Sequence, residues 1–189
     1  RPLATLLPTL REGLGRPVEA VFAEVEELPI AAASLAQVHR GRLHDGRSVA
    51  IKIQYPEIAG LVASDIENLA FLLGVLARLE RDFDFTVLLD EVRKLVPLEL
   101  DFVNEAANSE RAARCLAGRD DVFIPPVIRE ASSRRVLVTE FAPGIRVTDV
   151  AGMRAQGIDP KEVARRLSDV FTEMILRHGF FHGDPHPGN

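Results

Sequence analysis

The sequence His182-Gly183-Asp184-Pro185-His186-Pro187-Gly188-Asn189 decides how the rest of this chain is interpreted. It places an aspartate two residues after a histidine, and an asparagine five residues after that aspartate. Glycine, proline, aspartate and asparagine are also common turn residues, so the same stretch fits a plain surface loop. The choice between a chemically active loop and a turn depends on the residues upstream.

The spacing of Asp184 and Asn189 suits phosphoryl transfer from ATP. One carboxylate orients or deprotonates the acceptor hydroxyl, and an amide oxygen a turn later holds Mg²⁺ against the phosphates. The catalytic loop of protein kinases has the same His-x-Asp sequence, with asparagine at the same distance. Asp184 is therefore the candidate catalytic residue and Asn189 the candidate metal ligand.

Composition excludes several classes of protein. With 189 residues, 47% apolar and 27% charged, the chain is one ordinary domain or a large domain cut short. A net charge of −5 argues against nucleic-acid binding, and the single Cys115 excludes a disulfide framework or a zinc cluster. The apolar run at 69–76 is too short to span a bilayer, and no signal peptide is evident, so a cytoplasmic location is expected.

Hydrophobic periodicity predicts an α+β fold with a hairpin between two helical regions. The predicted helices cover 3–28, 57–81, 86–96, a segment from Pro97 to Gly118, and a segment from Asp159-Pro160 to Gly179. The predicted strands cover 35–43, 47–54, 122–124, 136–141 and 180–181, with the first two joined by His44-Asp45-Gly46.

Lys52 is the candidate functional residue upstream of the loop. In the second hairpin strand, Val49 and Ile51 point to one face and Lys52 to the other. On the third helix Asp101, Glu105 and Asn108 are expected on one face. A solvated lysine and a solvated helix face are the alternatives, because charged residues are mostly exposed.

The order of these elements favours a kinase-like fold. The elements follow one another as in protein kinases: a strand with a lysine, a helix with a glutamate, a strand that leads into a linker, a long helix, and the 182–189 loop. Val49-Ala50-Ile51-Lys52 also matches the kinase strand-three signature. The linker occupies the position of the kinase hinge, which makes Glu140 and Ala142 candidates for nucleotide contact.

Two departures from ordinary protein kinases are informative. Residues 29–39, PIAAASLAQVH, are rich in alanine where a kinase has a glycine-rich loop. Lys52 and Glu105 are separated by 52 residues, so a helical insert must lie between them. With these features and the terminal HGDPHPGN, the chain closely resembles the UbiB/AarF family of atypical kinases from about Leu10 to Asn189.

The resemblance implies a role for each candidate residue. Lys52 would contact the α- and β-phosphates and pair with Glu105, while Asp184 and Asn189 would be the catalytic aspartate and the metal-binding asparagine. The family's alanine-rich nucleotide loop and its Glu-x-Asp motif correspond to Ala31, Ala32, Ala33 and Ser34, and to Glu99 and Asp101. Ala36 stands where many members have glycine. Consecutive alanines restrict positive φ and should give a stiff loop that favours helix.

The resemblance also implies the fold and the function. The fold would be protein-kinase-like, with a small antiparallel-sheet lobe at 1–142, a helical insert at about 57–96, and the beginning of a large lobe at 143–189. The activity would be that of an unorthodox kinase or ATPase that uses ATP and Mg²⁺ and supports ubiquinone or another isoprenoid-quinone biosynthesis. Expected partners are ATP or ADP, and lipids or proteins of quinone biosynthesis, with membrane contact through parts outside this chain.

The chain is expected to be a fragment that lacks both ends. Residues 1–189 alone should therefore aggregate or behave as a partly folded chain, and should show no metal-dependent ATP hydrolysis. Two other functions stay open. A small-molecule phosphotransferase of the aminoglycoside or choline kinase type also uses a His-Gly-Asp-x-His loop, although it lacks the alanine loop and the Glu-x-Asp motif. A pseudokinase scaffold would bind nucleotide without turnover.

Overall fold

The computed structural model describes residues 1–79 and 85–183. The chain forms two compact units. The sheet unit consists of Arg1–Ser109 and Pro125–Phe141, and the helical unit consists of Glu110–Ile124 and Ala142–Asn189.

The described chain contains four strands and six α-helices. The strands are β1 (Phe22–Ala32), β2 (Ala36–Leu43), β3 (Ser48–Gln54) and β4 (Val136–Glu140). The helices are α1 (Leu7–Leu14), α2 (Ile58–Leu79), α3 (Phe85–Glu99), α4 (Phe102–Cys115), α5 (Val150–Ala155) and α6 (Pro160–Glu173).

The strands form one antiparallel sheet in the order β1-β2-β3-β4. The expected hairpin between β2 and β3 is confirmed. Its turn is closed by Gly46, whose φ of 92° suits glycine, and by Asp45, whose Oδ1 accepts the Arg47 N–H at 3.0 Å. The Arg47 guanidinium holds the pKa of the Asp45 carboxyl below its ordinary value.

The two faces of the sheet have different cores. On one face the alternating side chains of β3 pack against α1 and β4, and this core includes the fully buried Leu10, Val49, Ile51, Ile53 and Val138. On the opposite face Phe102 and Ala106 of α4 pack against Ala36 and Leu137. Each fully buried large side chain contributes about 1.5–3 kcal/mol relative to an exposed one. The strand period predicted for β3 therefore directs Lys52 to the face that α4 covers.

The prediction of one helix over 3–28 is wrong after residue 14. Helix α1 ends at Gly15, which adopts a left-handed φ of 63°, and β1 begins at Phe22. The helical spacing of Val21, Phe22 and Val25 was misleading, because pairing with the distant β2 decides the structure of this segment.

Two short strand predictions are also wrong. Residues 122–124 and 180–181 contain no strand, and the only pairing near the first segment is an isolated bridge between Val127 and Thr139.

Among the described residues, the insert between β3 and α4 consists of α2 and α3, which contact each other. Helix α3 continues through Pro97 to Glu99, so the helix break predicted at Pro97 is wrong. By length and composition alone, Ile58–Arg78 is long and apolar enough to cross a membrane, and 6% of its apolar window is buried. The apolar run considered in the sequence was shorter because Asp65 and Glu67 interrupt it.

The helical unit confirms the predicted start of α6. The Asp159 side chain accepts the Lys161 N–H at 3.0 Å, and Pro160 occupies the first turn. The helix continues as a π-helical turn, Met174–His178, and ends at Gly179 with a φ of 57°. Met174 is buried, whereas Leu167 and Ile175, which helical spacing would place near it on one apolar face, are each 47% exposed.

Candidate nucleotide site

Lys52 and Glu105 form the ion pair expected from the sequence. The Lys52 Nζ atom lies 2.7 Å from both carboxylate oxygens of Glu105. The same Nζ atom lies 4.9 Å from the centre of the Phe102 ring, whose negative face stabilises a cation. The side chains remain 31% and 42% exposed, so the pair is accessible to a ligand.

Asp101 fixes the beginning of the helix that carries Glu105. Its Oδ1 atom accepts the Val103 N–H at 3.0 Å, and its Oδ2 atom lies 3.3 Å from the Arg134 Nε atom. The Phe102 N–H also donates to the Arg134 carbonyl at 3.0 Å. Asp101 is therefore the N-cap of α4, and the prediction that it shares a helix face with Glu105 is wrong.

Gln54 is a buried polar residue that sequence reasoning did not single out. It is 2% exposed, and its Nε2 atom donates to the Leu100 carbonyl at 3.0 Å. This bond ties the end of β3 to the residues just before α4. Its position two residues after Lys52, on the same strand face, was the available signal.

The alanine segment is a strand end and a turn. Ala31 and Ala32 pair with Val38 and Gln37, and the Ala33 N–H donates to the Ala36 carbonyl at 2.9 Å. The expected helical tendency is wrong here, because the ladder with β2 satisfies this backbone. Ala31, Ala32, Ala33 and Ser34 are all exposed. Among the described residues only glycines have positive φ, so this turn does not form a left-handed anion nest.

The other predicted nucleotide contacts lie at three different places. Glu99 is the last residue of α3 and is exposed. Glu140 ends β4, and its Oε1 atom lies 3.7 Å from the Arg47 Nη1 atom. In the β3–β4 register Glu140 lies opposite Val49. Val49 is three positions from Lys52, which corresponds to about 10 Å along the strand. Ala142 follows β4 as an exposed residue of the helical unit.

Asp184 and Asn189 lie outside the described residues. Within the described part of the chain, no group of three or more His, Cys, Asp or Glu side chains could hold a metal ion. The described part of the candidate site therefore consists of the Lys52–Glu105 pair and the elements that position it.

These features define a protein-kinase-like domain. Its antiparallel sheet carries a lysine on the third strand, and this lysine pairs with a glutamate near the start of α4, the helix that packs on the same face of the sheet. Residues 3–189 match the model of the ABC1 atypical kinase-like domain, and the chain belongs to this family. The fold and the family predicted from the sequence are thereby confirmed.

Named relatives agree with this assignment. The chain is 44% identical over 180 residues to the AarF domain-containing protein kinase 1 of Gallus gallus. This match covers 95% of this chain and 35% of that protein. It is 40% identical to the AarF domain-containing kinase 1 of Drosophila melanogaster, over 100% of this chain and 36% of that protein. The chain thus spans about a third of the length of these relatives.

A solved structure has the same fold. The Rv3197–erythromycin complex from Mycobacterium tuberculosis superposes with a TM-score of 0.84 at 30% identity. The match covers 100% of this chain and 48% of that one.

Proposed function

We propose that the chain is part of an ATP-binding atypical kinase or ATPase that uses Mg²⁺ for phosphoryl transfer or ATP hydrolysis. The observation that carries the proposal is the contact of the Lys52 ammonium with both Glu105 oxygens at 2.7 Å. In protein kinases the corresponding pair must be formed before phosphoryl transfer.

The pair leaves Lys52 able to bind a phosphate. An ammonium group has three N–H donors, and two of them are directed to Glu105. The third is available to an α- or β-phosphate oxygen, and the 31% exposure of the side chain leaves room for it. Glu105 and the Phe102 ring hold the ammonium in place.

The remaining roles that we propose are supported by family membership. Asp184 would orient the acceptor hydroxyl or a water molecule, and Asn189 would hold Mg²⁺. The described residues fit a metal less well, because both Asp101 oxygens are already engaged by the Val103 N–H and Arg134. Mg²⁺ would neutralise charge on the phosphate oxygens. Ala31–Ser34, Glu99, Glu140 and Ala142 would line the nucleotide site.

The biological role that we propose is support of ubiquinone or another isoprenoid-quinone biosynthesis. Lipids or proteins of that pathway would be the partners, and membrane contact would come through parts outside this chain. One relative, at 37% identity, is named ACTIVITY OF BC1 COMPLEX KINASE 8, chloroplastic, from Arabidopsis thaliana, and a membrane-rich organelle suits such a role.

The test is ATP turnover by the complete gene product with Lys52→Met. We expect kcat to fall by about 10²-fold or more, because a positioned charge at the phosphates is lost. Lys94→Met is the matched control, since Lys94 is 72% exposed on α3 and pairs only with Glu91 among the described residues, at 3.8 Å. Equal turnover in the two variants would refute the proposal.

The same experiment separates the alternatives. Saturable ATP binding with no turnover in the wild type would identify a pseudokinase scaffold. Turnover that depends on an added aminoglycoside or amino alcohol would identify a small-molecule phosphotransferase.

A further inference from the structure

Arg111 of α4 makes a cation–π contact that is separate from the Lys52–Glu105 ion pair near the beginning of this helix. The guanidinium carbon of Arg111 lies 4.1 Å from the centre of the Phe180 ring, and both residues belong to the helical unit. Phe180 precedes Asp184 by four residues. Arg111 therefore contacts the chain just before the loop that contains the candidate catalytic aspartate.

The segment that ends at Phe180 has an unusual backbone. Helix α6 changes into the π-helical turn Met174–His178, and Gly179 then reverses the chain with a φ of 57°. The Phe180 N–H donates to the Met174 carbonyl at 3.2 Å. Single π-helical turns are frequent at functional sites.

The turn after α4 is tied to the same segment. Arg119 donates to Asp121 through Nε and Nη2, at 2.9 and 2.8 Å, and to Glu173 through Nη1 at 3.0 Å. Glu173 is the last residue of α6 and also accepts from Arg177 at 3.2 Å. The chain leading to 182–189 is thus fixed at Glu173 by Arg119 and at Phe180 by Arg111.

The residues that follow the π-helical turn are not deeply buried. Phe180 is half-buried, and Phe181 is 50% exposed. The planar guanidinium of Arg111 covers the Phe180 ring and fixes its direction, a contact that a lysine ammonium reproduces only in charge.

We propose that Arg111 is a positioning residue for phosphoryl transfer, which acts by stacking on Phe180 and so fixes the direction in which the chain enters the 182–189 loop. This proposal rests on the proposed function for its kinetic readout. A misplacement of a reacting group by 1 Å can lower the rate by about 10²-fold. Lys52, the proposed phosphate ligand, contacts Glu105 and the Phe102 ring and not Arg111, so we expect the effect of Arg111 on kcat rather than on KM for ATP.

The experiment compares Arg111→Met, Arg111→Lys and Phe180→Leu in the complete gene product. The matched control is Arg114→Met, because Arg114 is exposed on the same helix and makes no hydrogen bond, ion pair or ring contact with the described residues. We expect Arg111→Met to lower kcat about tenfold, with KM for ATP changed less than twofold, and Arg111→Lys to recover part of the loss. Combining Arg111→Met with Phe180→Leu should add little to either single change.

Amide hydrogen exchange in peptides covering 180–189 gives a readout that is independent of turnover. We expect faster exchange in Arg111→Met and Phe180→Leu, and unchanged exchange in Arg114→Met. If the wild type does not turn over ATP, the proposed function fails, and exchange alone decides whether Arg111 orders the loop. Unchanged exchange in Arg111→Met overturns the proposal, and so does a fall in kcat that Arg114→Met reproduces. If Arg111→Met does not fold, Arg111→Lys and Phe180→Leu decide by the same criteria.

Discussion

Substitutions at Asp101 should separate two contributions of one carboxylate to stability. Asparagine caps a helix as well as aspartate does, so Asp101→Asn keeps the bond to the Val103 N–H and loses only charge. The lost charge pairs with Arg134, whose side chain is 80% exposed, so this pair contributes about 0.2–1 kcal/mol. The interaction of the charge with the helix dipole adds about 0.3–1 kcal/mol. We expect Asp101→Asn to cost about 0.5–2 kcal/mol in total.

Asp101→Ala also removes the cap, which contributes about 1 kcal/mol more. Its expected cost is therefore about 1.5–3 kcal/mol, about 1 kcal/mol above that of Asp101→Asn.

The assay is urea unfolding of the complete gene product, with the slope m compared between variants to exclude a change in the unfolded state. Asp90→Ala on exposed α3 is the control and should stay within about 0.5 kcal/mol of the wild type. Equal destabilisation by Asn and Ala would refute the capping role. A loss of turnover in Asp101→Asn beyond its loss of stability would assign the carboxylate to the nucleotide site as well.

Three further predictions concern other parts of the fold. Gly13→Ala should destabilise the protein by about 1–3 kcal/mol, because a Cβ atom would lie 2.6 Å from Val136 Cγ2, whereas Gly74→Ala, with nothing within 4 Å, should raise the melting temperature. Arg119→Met should flatten the acid unfolding curve. Arg119 lowers the pKa values of Glu173 and Asp121 below the ordinary 4.5 and 3.8. The stabilisation of the folded state by these two ion pairs is therefore complete above those values and is lost as pH falls through the lowered pKa values. An acid unfolding curve that is unchanged in Arg119→Met would contradict this. Ala33→Gly should change the affinity for ATP or ADP in a binding titration, because glycine permits the positive φ that the turn lacks, and unchanged affinities would exclude a role for the turn.

Local signals were sufficient for the parts of the site that the sequence predicted correctly. The Asp-Gly turn set the register of β2 and β3, and strict alternation then determined the face of Lys52. The cap at Asp159 likewise marked the beginning of α6. Each of these signals lies within a few residues of the feature that it predicts.

The features that were missed depend on contacts between distant residues. Strand β1 forms because it pairs with β2, although its own apolar spacing fits a helix. Arg111 and Phe180 are 69 positions apart, and no periodicity in the sequence links them. Asp101 was assigned to the helix interior because Pro97 was taken as the helix start, and a polar residue just before an apolar run is the better indication of a cap.

Strand β1 also has a consequence for self-association. It is an edge of the sheet, and an exposed edge strand offers unpaired N–H and C=O groups to another chain. Between Val25 and Pro29 its register with β2 is irregular, and the Glu26 carbonyl there accepts from the buried His39 Nδ1 at 2.9 Å. Pro29 lacks an N–H, and Glu24, Glu26 and Glu27 are exposed. A second copy therefore meets an irregular edge with charged side chains and a missing donor, features that disfavour the strand-by-strand addition that leads to fibrils.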